Sequence, residues 1–190
     1  MIRTGYRIRA ASPVDASAIA HVYVATWRTS YHNLLPAATL SNMNEMRETL
    51  YWWTALCSAR ASTVTLVVEN PEGRVVGFVS GGPDRGQGAA RRAEIYTLYL
   101  LQDMQRRGFG AALLSACAAR LAALGFNSLV VWVLAANSAR GFYESFGGIA
   151  AASKTIRVGD RRVEEVAYLW ADIRSAAQAV ADSGDGVGDI

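Results

Sequence analysis

The chain has 190 residues, 52% hydrophobic and 18% charged, with a formal net charge of +3. That length suits one domain able to bury about 70% of the surface its unfolded form would expose, and no run approaches the ~20 apolar residues of a membrane span. Two cysteines, Cys57 and Cys117, and two histidines, His21 and His32, are too few for a disulfide framework or a multi-histidine metal centre, so no metal is expected.

In chain order, Arg7–Ala10 predicts a first strand, and Ser12-Pro13-Val14-Asp15 has the cap-then-proline form of a helix start. From Ala16 to about Thr29, Ile19, Val22, Tyr23 and Trp27 mark the apolar side of that helix. Residues 36–60 read as one or two helices joined near Ser41-Asn42, with Met46, Leu50, Trp53 and Leu56 forming an apolar face. The run Tyr51-Trp52-Trp53 within it reads as core or dimer surface. Val64–Glu69 and Val75–Ser80 flank Asn70-Pro71-Glu72-Gly73, a hairpin signature. The stretch from Gly81 to Gly88 is glycine-rich but has no helix behind it, and predicts a mobile loop beside a substrate entrance.

Glu94–Leu100 alternates β-branched, aromatic and aliphatic residues over one strand length, and Leu113, Leu114, Cys117, Leu121 and Leu124 then recur at helical spacing up to Gly125. Between them, Gln105-Arg106-Arg107-Gly108-Phe109-Gly110 forms a turn whose glycines let backbone N–H groups converge on an anion at a helix N-terminus. The two arginines supply charge for a pyrophosphate. The turn lacks the third glycine of a dinucleotide fingerprint and the Gly-Lys-Ser/Thr of a P-loop. Leu129–Leu134 reads as a buried strand, Asn137–Gly147 as a short helix capped by Asn137 and ended by Gly147, and Lys154–Val158 with Val163–Trp170 as a last hairpin. From Ser175 the chain turns small, polar and acidic, so residues 1–174 are expected to form the domain and 175–190 a frayed tail.

Three segments carry a family resemblance across residues 6–172. Leu98-Tyr99-Leu100 with Gln105, Gly108 and Gly110 resembles motif A of the GNAT superfamily of acetyl-CoA-dependent N-acyltransferases. The segment from Asn137 through Phe142-Tyr143 to Gly147 resembles the family's later Asn and Phe-Tyr element, with Gly148 in place of the usual aromatic and a weakened packing contact expected there. Trp27–Pro36 resembles the first-helix segment of bacterial members, many of them labelled amino-acid or phosphinothricin-type acetyltransferases.

The resemblance implies an α/β single-domain GNAT fold, a mixed and mostly antiparallel sheet with helices on both faces. It implies acetyl-CoA as co-substrate and transfer of acetyl to the primary amine of a small molecule or peptide in a ternary complex; a catalytically silent acyl-CoA sensor or protein-interaction module of the same fold is the alternative. Leu98 would polarise the thioester carbonyl, Tyr99 and Leu100 would pair with the pantetheine amides, and Gln105, Arg106, Arg107, Gly108, Phe109, Gly110 and Ala111 would hold the pyrophosphate. Asn137 would contact the cofactor and cap its helix, and Tyr143 would donate a proton to the leaving thiolate. Glu94 is the expected general base, placed four residues before Leu98 at same-face spacing, with a surface pair to Arg91 or Arg92 as the competing role. Trp27, Tyr31 and Tyr96 are expected to line the acceptor cavity, with Arg85, Arg91 or Arg92 able to attract a carboxylate. The arginines are scattered rather than clustered, against nucleic-acid binding. No secretory signal or membrane span is read, so a cytoplasmic location is expected; the apolar front helices and last hairpin point to a homodimer.

Overall fold

The computed structural model describes residues 5–58, 60–86 and 91–178. Thirteen elements follow in order: β1 (Arg7–Ala10), α1 (Ala16–Ser30), α2 (Ala37–Ser41), α3 (Glu45–Cys57), β2 (Val64–Glu69), β3 (Val75–Pro83), β4 (Arg92–Leu100), α4 (Phe109–Ala123), β5 (Ser128–Leu134), α5 (Arg140–Ser145), β6 (Ile149–Val158), β7 (Arg161–Trp170) and α6 (Ile173–Gln178). The seven strands form one sheet in the order β1-β2-β3-β4-β5-β7-β6. Every pairing is antiparallel except β4 with β5.

Hydrophobic side chains cover both faces of the central strands, as a mixed sheet buried on both sides requires, while edge strand β6 is largely exposed. On one face α1 and α3 bury Ile19, Ala20, Val22 and Trp52 against Val67 and Phe78. On the other, α4 buries Leu113, Leu114, Cys117 and Leu121 against Val79, Ile95 and Val131. The start of α1 is pinned electrostatically. Arg9 reaches both oxygens of Asp15 at 2.7 Å and Oε1 of Glu69 at 2.8 Å, and the Ser12 N–H donates to Asp15 Oδ2 at 2.8 Å. One guanidinium thus ties β1, β2 and the first turn together.

Helix α4 stops where its sequence says it should. Gly125, at φ +93°, donates to Ala122 O at 2.9 Å and Phe126 donates to Leu121 O at 3.3 Å, the paired bonds of a Schellman stop. Leu124 becomes the cap residue and stands 47% exposed instead of joining the apolar face.

Other expectations are corrected. The face drawn through Met46, Leu50 and Trp53 points outward, at 78%, 65% and 52% exposure. α3 meets the core through Trp52, edge-on to Phe78 at 5.0 Å, with Leu56 one turn on. The glycine-rich stretch is strand through Pro83, because Gly81 and Gly82 run too close to β4 for a side chain: a Cβ would lie 2.8 Å from Glu94 O and 2.7 Å from the Tyr96 hydroxyl, respectively. Gln87 and Gly88 lie outside the described residues. Gly148 does not loosen its surroundings; a Cβ there would stand 2.8 Å from the Trp170 ring, which fills the space from β7. Ser175–Gln178, assigned to the tail, belong to α6, whose Ile173 and Ala176 are buried. The remainder of the expected tail lies outside the described residues.

One irregularity positions the site. Ser80 pairs with Thr97 but Gly81 pairs with Ile95, so Tyr96 is an extra residue on β4. A bulge of this kind reverses the face on which later side chains emerge. Ile95 and Leu98 therefore share the α4 face three residues apart, while Tyr99 packs on the α1 face. Glu94 lies opposite Leu98, not beside it as uninterrupted alternation predicts.

Candidate active site

β4 and β5 pair only from Arg92–Ile95 with Ser128–Val131 and then separate. Leu101 donates to Val76 O at 3.0 Å, which fixes the phase of the β3 ladder: Tyr99 and Thr97 face β3, while Leu98 and Leu100 turn their backbone groups into the gap. The Leu100 carbonyl already accepts from Thr26 Oγ1 at 3.1 Å and Gln105 Nε2 at 3.2 Å. Tyr99 was expected to offer its backbone to the cofactor; its place in the ladder leaves only its side chain to line the site.

The gap opens into a cleft of about 1050 Å³. At its mouth Arg106 adopts φ +59° and Gly108, the residue before α4, φ +83°. Two left-handed residues this close bend the chain so that successive N–H groups point one way, an anion-binding arrangement. The first α4 bond recorded at this end runs from Ala112 to Gly108 O at 3.1 Å, so the N–H groups of Phe109, Gly110 and Ala111 are the open donors of the helix start. Gln105, Arg106, Gly108, Gly110 and Ala111 line the cleft; exposed Arg107 does not, and Phe109 is buried against Tyr6.

The opposite wall comes from the turn into α5. Asn137 Oδ1 accepts the Ala139 N–H at 2.9 Å, fixing the turn, and Asn137 also lines the cleft. Tyr143 is 5% exposed, and desolvation pushes its phenol well above the ordinary tyrosine range.

A second cavity, of about 860 Å³, lies on the α1 face and shares Tyr31, Tyr96, Thr97, Tyr99 and Trp132 with the cleft. Trp27, Tyr31 and Tyr96, expected on its wall, are all there. So is Glu94, but its partner is neither Arg91 nor Arg92. Its Oε2 accepts the Arg85 backbone N–H at 2.9 Å and its Oε1 accepts Arg85 Nε at 3.2 Å and Nη2 at 2.5 Å. Arg92 instead bonds Asp84 at 2.7 Å. The Arg85 guanidinium lies 4.4 Å over the Tyr96 ring, whose hydroxyl donates to Pro83 O at 2.6 Å. Across the cavity Lys154 lies 3.8 Å over Trp132 and 3.4 Å from Glu165. Sequence reading missed Trp132 and Lys154, although Lys154 is the chain's only lysine. Trp27 Nε1 and Thr97 Oγ1 are buried with no hydrogen-bond partner among the described residues.

Neither histidine lines either cavity: His21 faces Glu45 at 3.3 Å and His32 faces Thr29 O at 2.9 Å, both exposed. Burial pushes the Cys117 thiol up to about 12, and Cys57 is exposed away from both cavities. Among the described residues no cluster of three or more His, Cys, Asp or Glu could hold a metal, and no helix is long and apolar enough to cross a membrane.

Known proteins share this fold. A family model described as the acetyltransferase (GNAT) family matches residues 22–148. The N-acetyltransferase YuaI of Bacillus subtilis (strain 168), itself uncharacterized, is 33% identical over 166 residues, covering 87% of this chain and 93% of YuaI. An N-acetyltransferase structure from Staphylococcus aureus Mu50 superposes with a TM-score of 0.69 at 22% identity, covering 90% of this chain and 99% of that one. The PaiA N-acetyltransferase of Thermoplasma acidophilum, solved in complex with coenzyme A, superposes with a TM-score of 0.65 at 18% identity, over 84% of this chain and 97% of its own.

Proposed function

The chain belongs to the GNAT family of acetyltransferases and takes acetyl-CoA as co-substrate, and from that premise we propose that it passes acetyl directly to the primary amine of a small molecule or peptide held in the aromatic cavity. The observation that carries this reading is the meeting of two cavities at Tyr31, Tyr96 and Thr97, one backed by open strand backbone and a helix N-terminus, the other by a buried carboxylate.

The residues present fit acetyl-CoA. Open N–H groups at Phe109 to Ala111, with Gln105 and Arg106, suit a pyrophosphate; Arg107 adds long-range charge from the surface. The Leu98 N–H polarises the thioester carbonyl, and the outward-turned Leu98 carbonyl and Leu100 N–H receive the pantetheine amides as a neighbouring strand would. Asn137 holds the far wall.

Attack requires a neutral amine. Glu94 is 3% exposed and takes the ammonium proton, directly or through water, once one of its Arg85 bonds gives way. Tyr143 stays protonated to high pH and hydrogen-bonds the departing sulfur; the same desolvation that weakens the phenol as an acid raises the proton affinity of the thiolate, so transfer between them is not opposed by the full difference in their solution pKa values. The described cysteines lie away from the junction, which favours direct transfer over an acyl-enzyme.

Coenzyme A release across a panel of amines, amino acids, polyamines, aminoglycosides and peptide N-termini tests the reading. With a productive acceptor, Glu94→Gln and Tyr143→Phe should each lower kcat about 100-fold or more, with intersecting initial-rate lines. Parallel lines, or full activity in both variants, would reject the mechanism.

A further inference from the structure

The hydrogen-bonding inventory of the aromatic cavity says what else the acceptor carries beside its amine, and this inference rests on the transfer reading above. Each of the four carboxylates lining the cavity already faces a cation: Glu94 faces Arg85, Asp84 faces Arg92 at 2.7 Å, Glu165 faces Lys154 at 3.4 Å and Glu48 faces Arg47 at 3.5 Å. The donors are not used up in the same way. Among the described residues Arg85 Nη1 makes no hydrogen bond, Trp27 Nε1 is buried without a partner, and Lys154 has one ion pair for three N–H groups. Arg60 also lines the cavity and makes no ion pair among the described residues. Of the cations that pair with these carboxylates, Arg85 and Lys154 line the cavity themselves, whereas Arg92 and Arg47 reach their partners from outside its wall.

Arg85 is the donor best prepared to receive a carboxylate. Two bonds to buried Glu94 and the Tyr96 ring beneath hold the guanidinium, and the Arg85 backbone N–H adds a third bond to the same carboxylate, yet the side chain is 63% exposed. A fork already fixed from behind loses little freedom on meeting a carboxylate. We propose that the acceptor is an amino carboxylate whose carboxylate is received by Arg85, and that Glu94 has a second role as the positioning residue that sets this guanidinium.

The test uses the full chain with acetyl-CoA and compares L-amino acids and ω-amino acids with the same compounds as carboxamides. The wild type should favour the acids, and Arg85→Ala should reduce the acid-to-amide ratio of kcat/KM by about 10- to 100-fold. Because Arg85→Ala leaves Glu94 buried without a partner, Arg85→Lys, which keeps a cation there but not the fork, is measured alongside and should show a smaller fall of the same sign. Glu94→Gln should raise KM for the acid in addition to any effect on kcat. An unchanged ratio in both Arg85 variants, or a wild type that favours the amides, overturns the proposal. Calorimetric titration of the acids into the coenzyme A-bound protein needs no turnover and separates the two readings. Acid binding that disappears in Arg85→Ala, with no acetylation by the wild type, supports the carboxylate site and rejects acetyl transfer to this class; acetylation of amines with no binding of any acid does the reverse.

Discussion

Gly108 and Gly73 form a matched pair for testing what the turn before α4 does. Both are left-handed, at φ +83° and φ +76°, and a Cβ on either would find nothing within 4 Å, so alanine meets backbone strain and no clash. That strain costs about 1–2 kcal/mol, and at ~2–4 °C per kcal/mol for a chain of this size each variant should lose roughly 2–8 °C in Tm, read by differential scanning fluorimetry without ligand. Gly73 sits in the β2–β3 hairpin, where its N–H bonds Asn70 O at 2.9 Å, remote from both cavities; Gly73→Ala should leave the KM for acetyl-CoA as it is. Gly108→Ala should do one of two things. If alanine holds φ positive, Tm falls as in Gly73→Ala. If the turn relaxes to negative φ, Tm recovers and the N–H groups of Phe109 to Ala111 swing away, so KM for acetyl-CoA rises about 5- to 30-fold, the same 1–2 kcal/mol expressed in binding. A Gly108→Ala protein with wild-type Tm and wild-type KM would refute the argument that this glycine sets the anion-binding geometry.

Two further predictions concern stability. Arg9 holds the Asp15 carboxyl below the usual carboxylate range, chiefly by hydrogen bonding, so the pair stabilises the fold fully above the unfolded carboxylate value of ~3.9 and loses that contribution as pH falls through the lower folded value. Asp15→Asn should therefore cost about 1–3 kcal/mol at pH 7 by urea titration, and the gap from wild type should narrow as pH falls below the unfolded carboxylate value; a gap independent of pH would reject the assignment. On α3, Leu50→Gln and Trp53→Gln should change stability by less than about 0.5 kcal/mol, given their exposure; a loss well above that would show the face to be covered in solution, as a homodimer would cover it.

Local chemistry in the sequence sufficed for β1, the stops of α4 and α5 and the strand-turn-helix unit around Gly108, because each depends on residues within a few positions of one another. The face of Glu94 was not legible, since the bulge at Tyr96 belongs to the pairing of β3 with β4, where Gly81 and Gly82 also run close to β4, a long-range fit that alternation along one strand cannot register. The orientation of α3 failed for a related reason: two apolar stripes exist on that helix, and only contact with Phe78 selects the one through Trp52. Gly148 was read as a missing aromatic, whereas the aromatic is present as Trp170, 22 positions further along the chain. Arg85 could be named as a candidate but not matched to Glu94, for the same want of three-dimensional register.

The short ladder between β4 and β5 makes the sheet two plates riveted at one corner. Four residue pairs join them, and past Ile95 and Val131 the facing edges run apart. A molecule that bonds to Leu98 and Leu100 while resting on the turn into α5 acts as a strut across the open side of that corner. Stability of the fold and occupancy of the cleft are then one linked quantity, so a substitution that loosens the rivet, at Ala93 or Leu129 for instance, should be far more damaging to the empty protein than to the protein purified and stored with coenzyme A.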